Sequence, residues 1–266
     1  MKQTILSYLP GDHPWQNTIC YFDTLPSTND YAKELAAQGA PEGTVILAGN
    51  QTAGRGRLGR SFHAPAGMGV YLSLILRPSC TPDQLMHLTC AVASAMCDAV
   101  EDCAKIRPKI KWINDLVCNN KKLGGILTEL SVNNKTGLTD WAVIGIGINC
   151  LHKDSDFPPE IRDIATSLLQ ATGKKTEPSA LAAAMIRQLY KMRQVFLTEK
   201  KQIMEAYKKD CLTIGKEVML LRGDEKRPAT AIDLDDDGGM LVRFPDGSTQ
   251  TVQSGEISVR GLYGYL

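Results

Sequence analysis

Several kinds of chemistry are missing from this chain of 266 residues. None of its eight cysteines forms a Cys-x-x-Cys pair, and most lie in apolar runs, where a free thiol behaves as a small hydrophobe. Its four histidines, His13, His63, His87 and His152, show no ligand spacing, which argues against a zinc site. No run approaches the ~20 apolar residues of a membrane span, and Met1-Lys2-Gln3-Thr4-Ile5 opens no signal-peptide hydrophobic region. A reducing, cytoplasmic setting without a membrane partner is the expectation. An excess of one charge is also lacking: 30 basic residues face 29 acidic ones, unlike a general nucleic-acid binder. No Gly-Lys-Ser or Gly-Lys-Thr occurs, so there is no Walker loop. Repeats and low-complexity tracts are absent, and the length suits one large domain or a large and a small one.

Against that neutral background stands Gly54-Arg55-Gly56-Arg57-Leu58-Gly59-Arg60, at the end of the apolar run Val45-Ile46-Leu47-Ala48. Glycine lets backbone N–H groups approach a ligand, and arginine adds a charged fork matched to phosphate or carboxylate oxygens. The pattern asks for a phosphate-bearing ligand. Its formal Gly-x-Gly-x-x-Gly match is not a dinucleotide site. Ser61 to Gly69 cannot continue as a helix, and the residues about 20 positions on are apolar or small, not acidic. Taken alone, the loop could equally be a basic hairpin tip on the surface.

Capping residues Ser27-Thr28-Asn29-Asp30, with a stop at Gly39, predict a helix over 28–38. Runs at 44–49 and 69–76 read as strands around the arginine loop. Thr81-Pro82-Asp83 starts a buried helix reaching about residue 104. Strands are expected at 109–118, 124–131 and 141–149, and helices at 158–172 and 179–210, the latter broken or bent near 197–199. From Leu212 the texture changes. Five short segments, Glu217–Leu221, Arg227–Asp233, Met240–Phe244, Ser248–Gln253 and Glu256–Arg260, alternate with turns such as Arg222-Gly223-Asp224 and Pro245-Asp246-Gly247. They predict a small all-β module large enough for an SH3-like barrel.

Three more motifs carry chemistry. In Lys111-Trp112-Ile113-Asn114-Asp115, a strand would place Lys111 and Asp115 on one face, as a ligand pair or as a solvated surface bridge. Lys122-Leu123-Gly124-Gly125 sets a cation beside bare backbone. Gly145-Ile146-Gly147-Ile148-Asn149 suits a strand with one face left bare, for a flat ligand or for tight packing against another backbone.

In this order and register, together with Ser27-Thr28-Asn29 and Gln51-Thr52-Ala53, the motifs resemble the biotin–protein ligase family over roughly residues 24–150. The resemblance implies an α+β protein. A catalytic domain like class II aminoacyl-tRNA synthetases, with a mixed sheet and flanking helices (1–211), would precede a C-terminal SH3-like β-barrel (212–266). It implies that biotin and ATP form biotinyl-adenylate, whose acyl group passes to a lysine of a biotin carboxyl carrier protein or domain. Arg57, Lys111, Asp115 and Lys122 would be catalytic, with Asp115 meeting Mg²⁺. Biotin would meet Ser27, Thr28, Asn29, Gln51, Gly54, Arg55, Gly56, Arg57, Lys122 and Gly125. ATP and the adenylate would meet Arg55, Arg57, Arg60, Phe62, Lys111, Asn114, Lys122 and Asn149.

The chain departs from the family pattern at Ile113, usually Pro, at Phe62, often Trp, and at Leu151, frequently Asn. The short stretch before Ser27 leaves no room for the helix-turn-helix domain of repressor members, so no DNA binding is expected. Monomer and homodimer are both open. The nearest rival is a lipoate or octanoate ligase of the same superfamily. The polar Ser27, Thr28 and Gln51 set suits a ureido ring better than a plain acyl chain.

Overall fold

Val45-Ile46-Leu47-Ala48 is apolar throughout and too short for a helix, and it forms the first half of a strand, buried on both faces there. A computed structural model describes residues 1–222, 224–254 and 258–261. The chain runs through α1 (Lys2–Ser7), β1 (Ile19–Leu25), α2 (Thr28–Ala37), β2 (Val45–Gln51), β3 (Gly69–Leu76) and α3 (Leu88–Ala104). There follow β4 (Lys109–Lys111), β5 (Asp115–Cys118), β6 (Lys121–Val132), β7 (Thr139–Asn149), α4 (Pro159–Arg162), α5 (Leu168–Thr172), α6 (Pro178–Val195) and α7 (Lys200–Asp210). The chain then enters β8 (Glu217–Arg222), β9 (Glu225–Leu234), β10 (Met240–Arg243), β11 (Thr249–Val252) and β12 (Ser258–Gly261).

Seven strands make one mixed sheet in the order β1-β2-β3-β7-β6-β5-β4. Only β1 and β2 run parallel; the other neighbours are antiparallel. Alternation along β3 and β7 sends Leu72, Leu74, Ile144, Ile146 and Ile148 into the main core with α3 and α6. The opposite face receives α2, where Ala32 and Ala36 pack on Ile46, Ile75 and Val143. The first turn of α2 ends over Gly145, with Asn29 above it, and Gly147 lies farther along the strand beneath Phe62. That placement makes the site.

The second sheet has the order β11-β10-β9-β8-β12, all antiparallel. Its strands fall where the turn residues put them. The expected strand at Glu256–Arg260 is described only from Ser258, and Glu256 and Gly223 lie outside the described residues. The sheets are stitched together: the Trp112 indole N–H donates to Gly238 O at 2.8 Å, Leu212 N to Ile110 O at 2.8 Å, and Lys208 pairs with Asp233 at 2.9 Å.

Two expectations need correction. Residues 109–118 are not one strand but a hairpin, in which Lys111 stands directly opposite Asp115. The pair shares a face as expected, but through cross-strand pairing. The turn between them has a cis Trp112–Ile113 peptide. Its polar groups find tertiary partners: Trp112 N donates to Thr213 Oγ1, the Tyr207 hydroxyl to Ile113 O, and Ile126 N to Asn114 O. Residues 158–172 are likewise not one helix. Ala165 bridges to Lys122 between α4 and α5, and Ser167 caps α5 through Gln170 N. The break between α6 and α7 falls where it was expected.

Candidate active site

The open sheet face is floored by glycine, and the sites of the missing Cβ atoms show why. A Cβ on Gly145 would sit 2.0 Å from Asn29 Oδ1, and one on Gly147 would sit 2.5 Å from the Phe62 ring. Both side chains therefore lie flat on bare backbone. Around them opens a cleft lined by residues of α2, β2, β6, β7, the hairpin turn and the Gly/Arg loop. A concave patch with a few convergent polar groups suits a small-molecule site.

One end of the cleft is a neutral polar wall. Ser27 caps α2 by accepting from Asp30 N at 3.3 Å. Gln51 Oε1 accepts from Thr28 N at 2.8 Å and Thr28 Oγ1 at 3.0 Å, which leaves the Gln51 NH₂ end beside Gly54. Buried Asn29 donates from Nδ2 to Glu129 Oε2 at 2.9 Å and to Leu127 O at 3.4 Å. Ser73 Oγ donates to Asn29 Oδ1 at 2.6 Å and lies 2.8 Å from Thr28 Oγ1.

The Gly/Arg loop folds back on itself. Phe62 N donates to Gly54 O at 2.8 Å, Gly56 N to Arg60 O at 2.7 Å, and Arg55 bridges to Ser61. At the tip, Leu58 has φ 55° and is 70% exposed, a large apolar side chain held out into solvent. The arginines go different ways. Arg55 pairs with Asp30 on α2, and with Glu129 on β6 at 3.4 Å. Burial pushes the Asp30 carboxyl up, but the hydrogen bonds from Lys33 and Arg55 outweigh this and hold it below the usual carboxylate range. Arg57 turns inward, donating to Asn114 Oδ1 at 3.0 Å and Ser254 O at 2.6 Å. Both partners are neutral, and burial pulls this guanidinium below its ordinary value. Among the described residues no carboxylate forms an ion pair with this desolvated cation, an arrangement that favours an incoming anion.

Lys122 supplies a second cation. Its Nζ donates to Asp115 Oδ1 at 2.6 Å, and Asn114 Nδ2 reaches the same oxygen at 3.2 Å. Gly125 lies alongside the pair: a Cβ there would stand 3.4 Å from both Lys122 Nζ and Asp115 Oδ1.

Of the residues expected from sequence, Ser27, Thr28, Asn29, Gln51, Arg55, Gly56, Arg57, Phe62, Asn114, Lys122 and Gly125 all line this cleft. Asp115 is tied to it through Lys122. Gly54 closes the base of the loop, and Arg60 is exposed on its outside. Lys111 stands beside Asp115 in the hairpin, outside the lining. Asn149 is buried at the end of β7, donating to Thr166 O at 3.0 Å, while its Oδ1 meets no hydrogen-bond partner among the described residues. Sequence reasoning missed Asp30, Lys33, Ser73, Glu129 and Ser254. Glu129 alone had a signal, since period-two alternation from Gly125 through Leu127 puts it on the cleft face.

Residues 21–149 match the Biotin/lipoate A/B protein ligase family, and residues 213–260 match the Biotin protein ligase C terminal domain. The chain is 37% identical over 233 residues to the Bifunctional ligase/repressor BirA of Bacillus subtilis, spanning 86% of this chain and 70% of that protein. It is 31% identical over 237 residues to the Biotin--[acetyl-CoA-carboxylase] ligase of Mycobacterium tuberculosis, spanning 87% and 85%. In three dimensions it resembles the biotin protein ligase of Aquifex aeolicus in complex with biotin and ATP, with a TM-score of 0.77 and 30% identity over 91% of this chain and 98% of that one. The chain belongs to the biotin–protein ligase family.

Proposed function

We propose that this chain is an ATP-dependent biotin–protein ligase, which makes biotinyl-5'-AMP from biotin and ATP and then biotinylates a carrier lysine. One observation carries the reading at the level of the site: a single cleft joins a neutral polar wall to a cationic end, as a neutral bicyclic ring with a carboxylate tail requires. The ureido ring has two N–H donors and one carbonyl acceptor. Ser27, Thr28, Asn29 and Gln51 match it without burying a charge. A lipoyl or octanoyl tail would use none of these groups, which favours biotin over the related acyl ligases.

At the other end, Lys122 and Arg57 hold the biotin carboxylate against the α-phosphate. Attack of a carboxylate oxygen on that phosphorus expels pyrophosphate and concentrates negative charge in the transition state, which positioned cations stabilise. Arg57 is suited to this work because its present partners are neutral and are readily exchanged for phosphate oxygens. Phe62 offers a flat face to the adenine. Lys111, Asn114, Arg60 and Asn149 complete the nucleotide contacts in this reading. The amine of the carrier lysine then attacks the acyl carbon, and AMP leaves.

Among the described residues, no group of three or more His, Cys, Asp or Glu could hold a metal ion. Mg²⁺ commonly needs only one or two carboxylates when phosphates and water supply the rest. Asp115, a hard oxygen donor beside Lys122, fits that role and would hold Mg²⁺ that arrives with ATP, where the ion neutralises phosphate charge. The reading also takes 1–211 as the catalytic unit and 212–266 as a β unit that braces Arg57 through Ser254 O. The acceptor is a lysine of a biotin carboxyl carrier domain, in keeping with the name of the Mycobacterium tuberculosis relative. No helix among the described residues is long and apolar enough to cross a membrane. Incorporation of labelled biotin into a carrier domain, dependent on ATP and Mg²⁺, tests the proposal; labelling with lipoate but not biotin would overturn it.

A further inference from the structure

Glu129 sits at the meeting point of the polar wall and the Gly/Arg loop. Its Oε2 accepts from Asn29 Nδ2 at 2.9 Å, and its Oε1 accepts from Lys33 Nζ at 2.9 Å and Arg55 Nη1 at 3.4 Å. A carboxylate flanked by two cations can only accept. The Asn29 amide must therefore turn its NH₂ end toward β6, where Leu127 O engages it as well. Its oxygen then lies over Gly145 and takes the single proton of Ser73 at 2.6 Å. Thr28 Oγ1, whose own proton goes to Gln51 Oε1, lies 2.8 Å from Ser73 Oγ as the second and longer acceptor for that same proton. Asn29 thus shows the cleft an oxygen with a lone pair to spare, and no N–H.

We infer that Glu129 is a positioning residue that sets the donor and acceptor polarity of the ureido-binding wall. The inference rests on the biotin reading above and specifies which part of the ligand that wall selects: a ring N–H. An amide at position 129 would remove the constraint. In Glu129→Gln the new NH₂ group could donate to Asn29, whose amide would then turn over and show the ligand an N–H instead of an oxygen. The two cations Lys33 and Arg55 also bear on the choice. They would draw the oxygen of the introduced amide to themselves and leave its NH₂ end toward Asn29.

The test compares wild type with Glu129→Gln and Glu129→Asp in the full chain. Calorimetry measures binding of biotin and of the cyclic-carbamate analogue, in which a ring oxygen replaces one ureido N–H. Wild type is expected to prefer biotin by about tenfold, the value of one well-made hydrogen bond. In Glu129→Gln the preference should fall to within about threefold, mostly through weaker biotin binding, and Glu129→Asp, still an acceptor, should restore much of it. Weakening of both ligands by the same factor in Glu129→Gln would mean a merely structural role and would overturn the inference. If Glu129→Gln does not fold, retention of the wild-type preference by Asn29→Ala, which removes the acceptor oxygen altogether, would overturn it as well. Failure of the wild-type protein to bind biotin at all would instead overturn the underlying reading.

Discussion

The Phe62 ring occupies the space that a side chain on Gly147 would need: a Cβ there would lie 2.5 Å from Phe62 Cε1. Phe62 also meets Tyr71 edge-on, with centroids 6.3 Å apart, and its N–H closes the Gly/Arg loop on Gly54 O. One glycine on a central strand thereby sets where the loop ends. Gly147→Ala should displace the ring, raise the KM for ATP by about tenfold or more, and lower stability by about 1–3 kcal/mol, as overpacking does. Pyrophosphate release at varied ATP, with thermal unfolding alongside, checks both effects. An unchanged KM for ATP would separate Phe62 from the nucleotide site.

Arg57 connects three parts of the molecule, the loop that carries it, Asn114 of the hairpin turn and Ser254 O in the turn after β11. Replacing it with Gly should loosen the loop over the adenylate as well as remove a cation. The expected outcome is escape of biotinyl-adenylate and labelling of lysines on bystander proteins. Labelling of serum albumin at matched turnover measures it, and adenylate held as tightly as in wild type would sink the idea of the loop as a lid.

Asp115 accepts from Lys122 at 2.6 Å, so Asp115→Asn alters the cationic end while leaving the polar wall intact. Biotin affinity without ATP should change by less than about threefold, whereas pyrophosphate release should fall by about 100-fold, the scale of losing one electrostatic contact to a transition state. Unchanged adenylation across a Mg²⁺ titration would exclude a role for Asp115 at the metal.

His152 gives the fold an acid-sensitive point. It is fully buried, stacks on Phe157 with centroids 4.8 Å apart, and among the described residues neither ring nitrogen has a hydrogen-bond partner. Burial, aided by His63 and opposed by Asp156, lowers its pKa to about 4. The folded state thus prefers the neutral ring more strongly than the unfolded chain does. Its contribution is fully present above pH 6.5 and is lost as pH falls through about 4, amounting to about 3 kcal/mol at most. His152→Phe should flatten that part of the pH–stability profile, as urea unfolding at pH 7.5, 5.5 and 4.5 would reveal. An equally steep profile in the variant would assign the acid sensitivity to other groups.

Local chemistry made much of this legible in the chain itself. Ser27 and Asp30 start α2 because a short oxygen-bearing side chain and a first-turn carboxylate satisfy a helix N-terminus. Turn residues after Leu212 mark the second sheet because Asp-Gly pairs suit tight turns. The hairpin at 109–118 was hidden because Trp112 and Ile113 carry no turn signal. The turn there is held by Thr213, Tyr207 and Gly238, residues about a hundred positions away. The break in 158–172 was hidden for the same reason, since Ala165 is drawn out by pairing with Lys122.

By itself, the sequence determined the kinds of groups in the site: glycines, arginines, a lysine–carboxylate pair and a neutral polar cap, in an order that resembles a known family. Only the tertiary structure decided their assignments. It sent Arg55 to Asp30 and Glu129, and Arg57 to Asn114 and Ser254, although the two arginines are near-identical in local sequence. It also revealed the Glu129–Asn29–Ser73 chain, whose members lie 44 and 100 residues apart. A hydrogen bond is local in space and indifferent to separation along the chain, so its partners and polarity are fixed only when the sheet brings those strands together.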